Sequence, residues 1–328
     1  MIKHLQLLRT DCTDPHRNLA VEQALLEAVG EETCILYLWQ NRHTVVIGRN
    51  QNAWRECRTG QMETDGVFLA RRLSGGGAVF HDLGNLNFTF LVRKPGYDLN
   101  RQLGVIVEAC RLMGIPAERS GRNDVLTGGR KFSGNAFYEH QGRCYHHGTL
   151  LVDVDMAAMG RYLSPSKAKL EAKGVSSVRS RVVNLKELRP DLTIEETAAR
   201  MEEAFQSVYG MGAERLETSA LDGACVDALT ERNRSWDWLY GRDIPCELRC
   251  GKRFPWGEVE LRLEVDAGTV RGVTVYTDAM DWALAPAVEG ALTGSVFRRE
   301  ELVRRLEGAG LEQTVGTDLC SLLMEQDI

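Results

Sequence analysis

The chain has 328 residues, 43% of them hydrophobic and 26% charged, with a formal net charge of −6. This is an ordinary globular composition. The acidic balance weighs against nucleic acid as the main partner, and no apolar run approaches the ~20 residues of a membrane-spanning helix. The opening "MIKHLQLLRTDCTDP" has no secretory core, and the nine cysteines show no paired CxxC spacing. Free thiols in the cytoplasm are therefore expected rather than a disulfide framework.

In chain order, "TDP" (13–15) supplies an N-cap and an N1 proline for a first helix reaching about Val29. "CILYLW", "TVVIG", "VFLARR", "AVFH", "LNFTFLV" and "CYHHGTLLVDV" are short, apolar and rich in aromatic or β-branched residues, the signature of buried strands. Leu99, Leu103, Ile106, Cys110 and Met113 recur at helical steps, capped by Asp98 and stopped by Gly114. A capping box, Thr193 to Glu196, opens another helix that buries Met201, Ala204, Phe205 and Val208. "GRDIPCELRCGKRFPWG" (241–257) lacks helical periodicity and reads as a linker. Beyond it, "VELRLEV", a "DAG" turn and "TVRGVTVY" form a hairpin with an irregularity at Gly272, followed by the helix "REELVRRLEGAG". The tail after Leu311 carries little pattern. The fold class expected is α+β, a mixed α/β chain with a large domain over 1–245 and a small α+β accessory domain over 252–328.

Three segments hold unusual residues. In "RRLSGGGAVFHD", three glycines follow two arginines. One reading is a tight turn or bulge. The other is an anion-binding nest of backbone N–H groups with arginine charge beside it. Neither a GxxxxGK[ST] loop nor a GxGxxG fingerprint occurs, which disfavours the common nucleotide folds. In "SGRNDVLTGGRKFSGNAF", Lys131 sits in a strand that Phe132, Ala136 and Phe137 mark as buried, and Gly134 leaves space beside it. Lys131 is either a solvated surface charge, the ordinary place for a lysine, or a compact cation that holds a carboxylate or phosphate oxygen. Asp124, after Asn123, is either a turn former or a carboxylate for Mg²⁺. In "RCYHHGTLL", His146 and His147 point to opposite faces of a strand and cannot share one ion, so a structural histidine is expected. Cys144 reads as strand packing rather than a nucleophile. Arg179 and Arg181 belong either to the site or to a solvated loop.

"RRLSGGGAVFHDLGNLNFTF", "SGRNDV…GRKFSGNAF", "HHGTLL", "LSPSKAKLEAKGVSSVRSRVVNL" and "WGEVELRLEV…VYTD" together resemble the bacterial lipoate–protein ligase A family, in order from about Asp14 to beyond Val296. The resemblance implies a biotin/lipoate ligase-like catalytic domain, a sheet flanked by helices. It implies that lipoate is activated with ATP to lipoyl-AMP with release of pyrophosphate. The lipoyl group then passes to a lysine of apo lipoyl domains, in E2 subunits of 2-oxoacid dehydrogenases and in the glycine cleavage H protein. It maps nucleotide contacts onto Arg72, Gly77, Ala78, Val79 and Phe80, and a contact with both lipoate and the nucleotide phosphate onto Lys131; Gly75, Gly76, Asn123 and Asp124 are further candidate nucleotide contacts, and Arg72, His81 and Gly77 candidate lipoate contacts. Lys131 is the catalytic residue it implies. ATP and Mg²⁺ are the expected substrate and activator, with lipoate as substrate and no tightly bound metal or organic cofactor. A cytoplasmic monomer that salvages lipoate, without nucleic acid or membrane partners, completes the expectation. The alternative is a lipoyl or octanoyl transferase of the same fold without its own activation step.

Overall fold

The computed structural model describes residues 2–121, 124–163, 182–240, 248–266 and 268–326, apart from the side chains at 54 and 55. By backbone proximity the chain forms two units: residues 1–46, 58–70 and 79–235, and residues 47–57, 71–78 and 236–328. The second unit thus takes two short segments, including the glycine run, out of the N-terminal half.

The described strands are β1 (His4–Arg9), β2 (Thr33–Trp39), β3 (Thr44–Ile47), β4 (Phe68–Arg71), β5 (Val79–His81), β6 (Asn85–Arg93), β7 (Glu118–Ser120), β8 (Asp124–Thr127), β9 (Arg130–His140), β10 (Arg143–Leu151), β11 (Ala213–Leu216), β12 (Leu248–Phe254), β13 (Gly257–Asp266) and β14 (Thr269–Thr277). In the first unit, eight strands run in the order β11-β1-β2-β6-β10-β9-β8-β7, and a smaller sheet has the order β4-β3-β5.

The even-numbered residues of β2, β6 and β10 face an apolar layer. Leu36, Phe88, Phe90 and Leu150 pack there against the helices Leu99–Leu112 and Ile194–Tyr209, through Val105, Ile106, Met201 and Phe205. Asp98 accepts from Arg101 N at the start of the first of these helices, and Gly114, at φ 71°, follows its end. Thr193 caps the second by accepting from Glu196 N, while the Glu196 carboxylate turns to Arg189, so only half of the expected capping box forms. The helix Pro15–Ala28, capped by Asp14, covers the opposite sheet face, where Glu22 meets Thr89 and His147.

In the second unit β12-β13-β14 packs on the helices Leu284–Leu292, Arg299–Glu307 and Gln313–Met324 around Leu261, Val275, Val288, Leu302 and Leu322. Two expectations are corrected here. Residues 248–254 of the supposed linker are β12, paired with β13 from Leu248↔Leu263 to Phe254↔Gly257. Its sparse burial hid the strand, since it alternates weakly at a sheet edge. The tail after Leu311 folds as the helix Gln313–Met324, which buries Leu319, Leu322 and Leu323. The expected irregularity at Gly272 is present: Glu264 pairs with Gly272 and Val265 with Val270, leaving Arg271 as the extra residue.

Candidate active site

The glycine run is shaped by its own chain. A Cβ on Gly75 would stand 2.5 Å from Ala279 O and 2.7 Å from Met280 O, and Gly76 N donates to Ala279 O at 2.8 Å. Gly76 has φ 89°, and its missing Cβ faces the Arg72 guanidinium at 2.9 Å. Only Gly77 has open space where a side chain would project. Two of the three glycines therefore answer to protein backbone and conformation.

The two arginines divide their work: Arg71 is the last residue of β4 and Arg72 the first of the loop that follows it. Arg72 Nε donates to Ser74 Oγ (3.1 Å) and its Nη2 to Gly75 O (2.7 Å) and Gly77 O (2.8 Å), placing fixed positive charge inside the loop. Arg71 goes the other way, into a cage of carbonyls from 48–51 and 238–239. The sequence reading grouped both arginines as charge beside the glycines; the structure leaves that place to Arg72 and gives Arg71 to backbone carbonyls.

Lys131 owes its position to a bulge. Asp124 pairs with Gly134 and Val125 with Ser133, but Leu126 pairs with Lys131, so Phe132 is the extra residue. Without that insertion, Lys131 and Gly134, three residues apart, would face opposite sides of β9. With it, Phe132 stays in the apolar core while Lys131 joins Gly134 and Asp124 on the other face. Lys131 Nζ lies 2.6 Å from Asp124 Oδ1 as an ion pair, although this oxygen accepts no hydrogen bond of proper angle. The ammonium also fills the space beside Gly134, 3.0 Å from where a Cβ would be. Both charged side chains are about one third exposed, at 33% and 35%.

The face carrying Lys131 is polar along one row. Trp39 pairs with Asn87, Asn87 with Thr149, and Thr149 Oγ1 accepts from Gly134 N at 3.4 Å. Behind the row, Glu22 Oε1 accepts from Thr89 (2.7 Å) and meets His147 Nδ1 (2.8 Å), and Thr89 accepts from Trp39 Nε1 (3.2 Å). Asn85 Nδ2 donates to Asn87 Oδ1 at 2.8 Å, leaving Asn85 Oδ1 and Asn87 Nδ2 buried without a protein partner. Such orphaned amide atoms are a signal for ligand or water. The sequence offered a hint only in hindsight, as asparagines at alternate positions of a buried strand.

His146 is structural, as expected. It lies on the apolar face between Gln102 Oε1 (3.2 Å) and Asn135 Oδ1 (2.7 Å), and burial lowers its pKa to about 3, so the ring is neutral. A neutral ring donates once; exchanging the ends of the Gln102 amide, whose Nε2 is otherwise orphaned, lets Nδ1 accept. His81, on β5, meets Asn41 Nδ2 through Nδ1 at 3.2 Å, and Phe80 stacks on Tyr162 at 5.7 Å. Burial pushes the Cys144 thiol up to about 11, and those of Cys34, Cys57 and Cys110 up to about 12, which suits packing and not nucleophilic attack.

Of the site residues expected from sequence, Arg72, Gly75, Gly76, Gly77 and Ala78 lie in the second unit, and Val79, Phe80, His81, Asp124 and Lys131 in the first. Asn123, Arg179 and Arg181 lie outside the described residues. Among the described residues no three His, Cys, Asp or Glu gather as a metal centre, and no helix is long and apolar enough to cross a membrane.

The site geometry thus consists of an α+β sheet carrying a partly exposed lysine–aspartate pair and a second α+β unit built around β12-β13-β14. Residues 14–206 match the lipoyl protein ligase A/B catalytic domain, and residues 244–321 match the bacterial lipoate protein ligase C-terminus. The chain belongs to the lipoate–protein ligase family. It is similar to P. falciparum LipL1, solved in complex with lipoate, at 25% identity over 98% of this chain and 100% of that one, TM-score 0.86. A bi-partite lipoate protein ligase from Thermoplasma acidophilum, described with its E2 lipoyl domain, matches at 25% identity over 76% of this chain and 100% of its own, TM-score 0.64. A lipoate-protein ligase A solved with ATP shares the fold at 23% identity, covering 73% of this chain and 98% of that one, TM-score 0.61.

Proposed function

We propose that the chain is an ATP-dependent lipoate–protein ligase of the cytoplasm, with residues 1–245 as catalytic domain and 252–328 as accessory domain. The observation that carries this reading is Lys131: a bulge turns its ammonium onto the polar face of the sheet, over Gly134 and against Asp124. The likeness to LipL1 with bound lipoate supports lipoate as the acyl substrate.

In the first half-reaction, a carboxylate oxygen of lipoate attacks the α-phosphorus of ATP and pyrophosphate leaves, giving lipoyl-AMP. Two anions must approach each other, and positive charge placed where negative charge builds up lowers that barrier. Lys131 supplies such charge to the carboxylate and the α-phosphate, and Arg72 with the backbone of Gly77, Ala78, Val79 and Phe80 serves the nucleotide. His81 and Gly77 serve lipoate, and Asn123 joins the nucleotide contacts. In the second half-reaction, the unprotonated ε-amine of an acceptor lysine attacks the acyl carbon. AMP leaves with the bonding pair, and the amine sheds a proton to form the amide.

Mg²⁺ fits a site with one protein carboxylate. Asp124 Oδ1, already facing a cation without a well-angled hydrogen bond, would hold it together with nucleotide phosphates. Bound there, the ion would neutralise phosphate charge. The acceptors proposed are lipoyl domains of E2 subunits and the glycine cleavage H protein, and the chain acts as a monomer that salvages free lipoate. The test is to mix the protein with ATP, Mg²⁺, lipoate and an apo lipoyl domain. Pyrophosphate release with a lipoyl mass gain on the acceptor supports the reading; acceptor unmodified at every protein concentration contradicts it.

A further inference from the structure

Arg71 is 3% exposed, and its guanidinium donates to backbone carbonyls of two chain segments. Its Nε donates to Trp238 O (2.8 Å), its Nη1 to Arg49 O (2.9 Å) and Gln51 O (2.6 Å), and its Nη2 to Leu239 O (2.6 Å). A longer bond, 3.3 Å, reaches Gly48 O. A planar fork of donors can collect carbonyls from two chain segments at once; a lysine ammonium, a compact charge, cannot span them.

The segment so held is the underlay of the glycine run. Gly48 packs so closely that a Cβ on it would collide with Gly76 O. Arg49 N donates to Ser74 O at 2.9 Å, and Gln51 Oε1 accepts from Gly48 N at 2.8 Å to close the turn. Asn50 continues the same scaffold, its Nδ2 donating to Trp282 O (3.0 Å) and its carbonyl accepting from Thr277 N (2.9 Å). The glycine run is thus wedged between the 48–51 turn and Ala279–Met280, and Arg71 hydrogen-bonds the turn to 238–239, where the Arg49 guanidinium also stacks on the Trp238 ring at 4.5 Å.

We infer that Arg71 is a positioning residue: by clamping the 48–51 turn it sets the backbone of Ser74 to Gly77 in the conformation that receives the nucleotide phosphates. This rests on the ligase reading above. Arg71 is buried among these carbonyls, so its loss acts on ATP through the loop and leaves the acyl substrate to Lys131.

The experiment measures lipoate-dependent ATP–pyrophosphate exchange on the full chain with Arg71→Lys, Arg71→Met and Gly48→Ala. Gly48→Ala keeps the arginine but shifts Gly76, so it reports the same route if Arg71→Met does not fold. The expected result is KM for ATP raised about tenfold or more in every folded variant, with KM for lipoate within about twofold, as befits a displaced loop. ATP-dependent thermal stabilisation falls in parallel. KM for ATP within about twofold of wild type in folded Arg71→Lys and Gly48→Ala overturns the inference, as does an equal rise in both KM values. If wild type itself shows no exchange, the ligase reading fails instead, and the two failures are distinct.

Discussion

Lys131 Nζ stands 3.0 Å from the place a Cβ would take on Gly134, and its Cε 3.1 Å. The glycine is the seat of the lysine: the bulge at Phe132 turns the ammonium onto this face, and the missing side chain lets it lie flat.

Replacing Lys131 should therefore remove chemistry and spare the fold. The side chain is one third exposed and its ion pair with Asp124 is partly solvated, so Lys131→Ala should shift Tm by only a few degrees. Pyrophosphate release with lipoate should drop by on the order of 10²-fold or more. Lys131→Arg should recover little, because a planar fork does not fit over Gly134 as an ammonium does. Near-normal release by the alanine variant would remove Lys131 from the mechanism.

Gly134→Ala is a milder version of the same test. The clashing atom is the far end of a flexible side chain, so the fold should hold while the ammonium is displaced. A rate loss of about tenfold or more at unchanged melting temperature is expected. Equal activity would mean that the lysine does not work from this pose.

In the glycine run, substitutions should act for two different reasons. Gly75→Ala places a Cβ against the carbonyls of both Ala279 and Met280, so differential scanning should show a lower Tm for the C-terminal unit. Gly76→Val forces a β-branched residue to φ 89°, a strain on the order of 1–3 kcal/mol, beside the Arg72 guanidinium. ATP should then give no thermal stabilisation, whereas an ATP-induced Tm shift equal to wild type would count against the loop.

Burial holds His146 neutral, with its pKa lowered from 6.5 to about 3. The unfolded chain takes up this proton below about pH 6.5 and the folded chain does not. The contribution is thus complete above that pH and is lost as pH falls towards 3, with a limiting slope of about 1.4 kcal/mol per pH unit. Urea midpoints for wild type should fall more steeply between pH 7 and pH 5 than those of His146→Gln. Parallel curves would show that His146 titrates normally.

Much of the fold was legible because hydrophobic period survives burial: the helices at 15–28, 99–112 and 194–209 start at the caps expected of Asp14, Asp98 and Thr193. β12 was not legible, since an edge strand with two glycine-flanked charges looks like a loop until β13 pairs with it. Lys131 and Asp124 were visible as residue types, but the bulge that brings them to one face is a matter of register, which one strand's sequence does not encode. The glycines were seen, but the packing reason for Gly75 was not. Gly75 makes room for Ala279 and Met280, some 200 residues away in sequence, and no local pattern announces that.

The most direct test follows single turnover with stoichiometric enzyme, ATP, Mg²⁺ and lipoate, first without and then with an apo lipoyl domain, scoring lipoyl-AMP and acceptor mass. The account predicts lipoyl-AMP with one pyrophosphate per enzyme in the first stage and its conversion to a lipoylated lysine in the second. Both stages should be lost in Lys131→Ala. Acceptor lipoylation that needs no ATP, or that proceeds unchanged without Lys131, would contradict it.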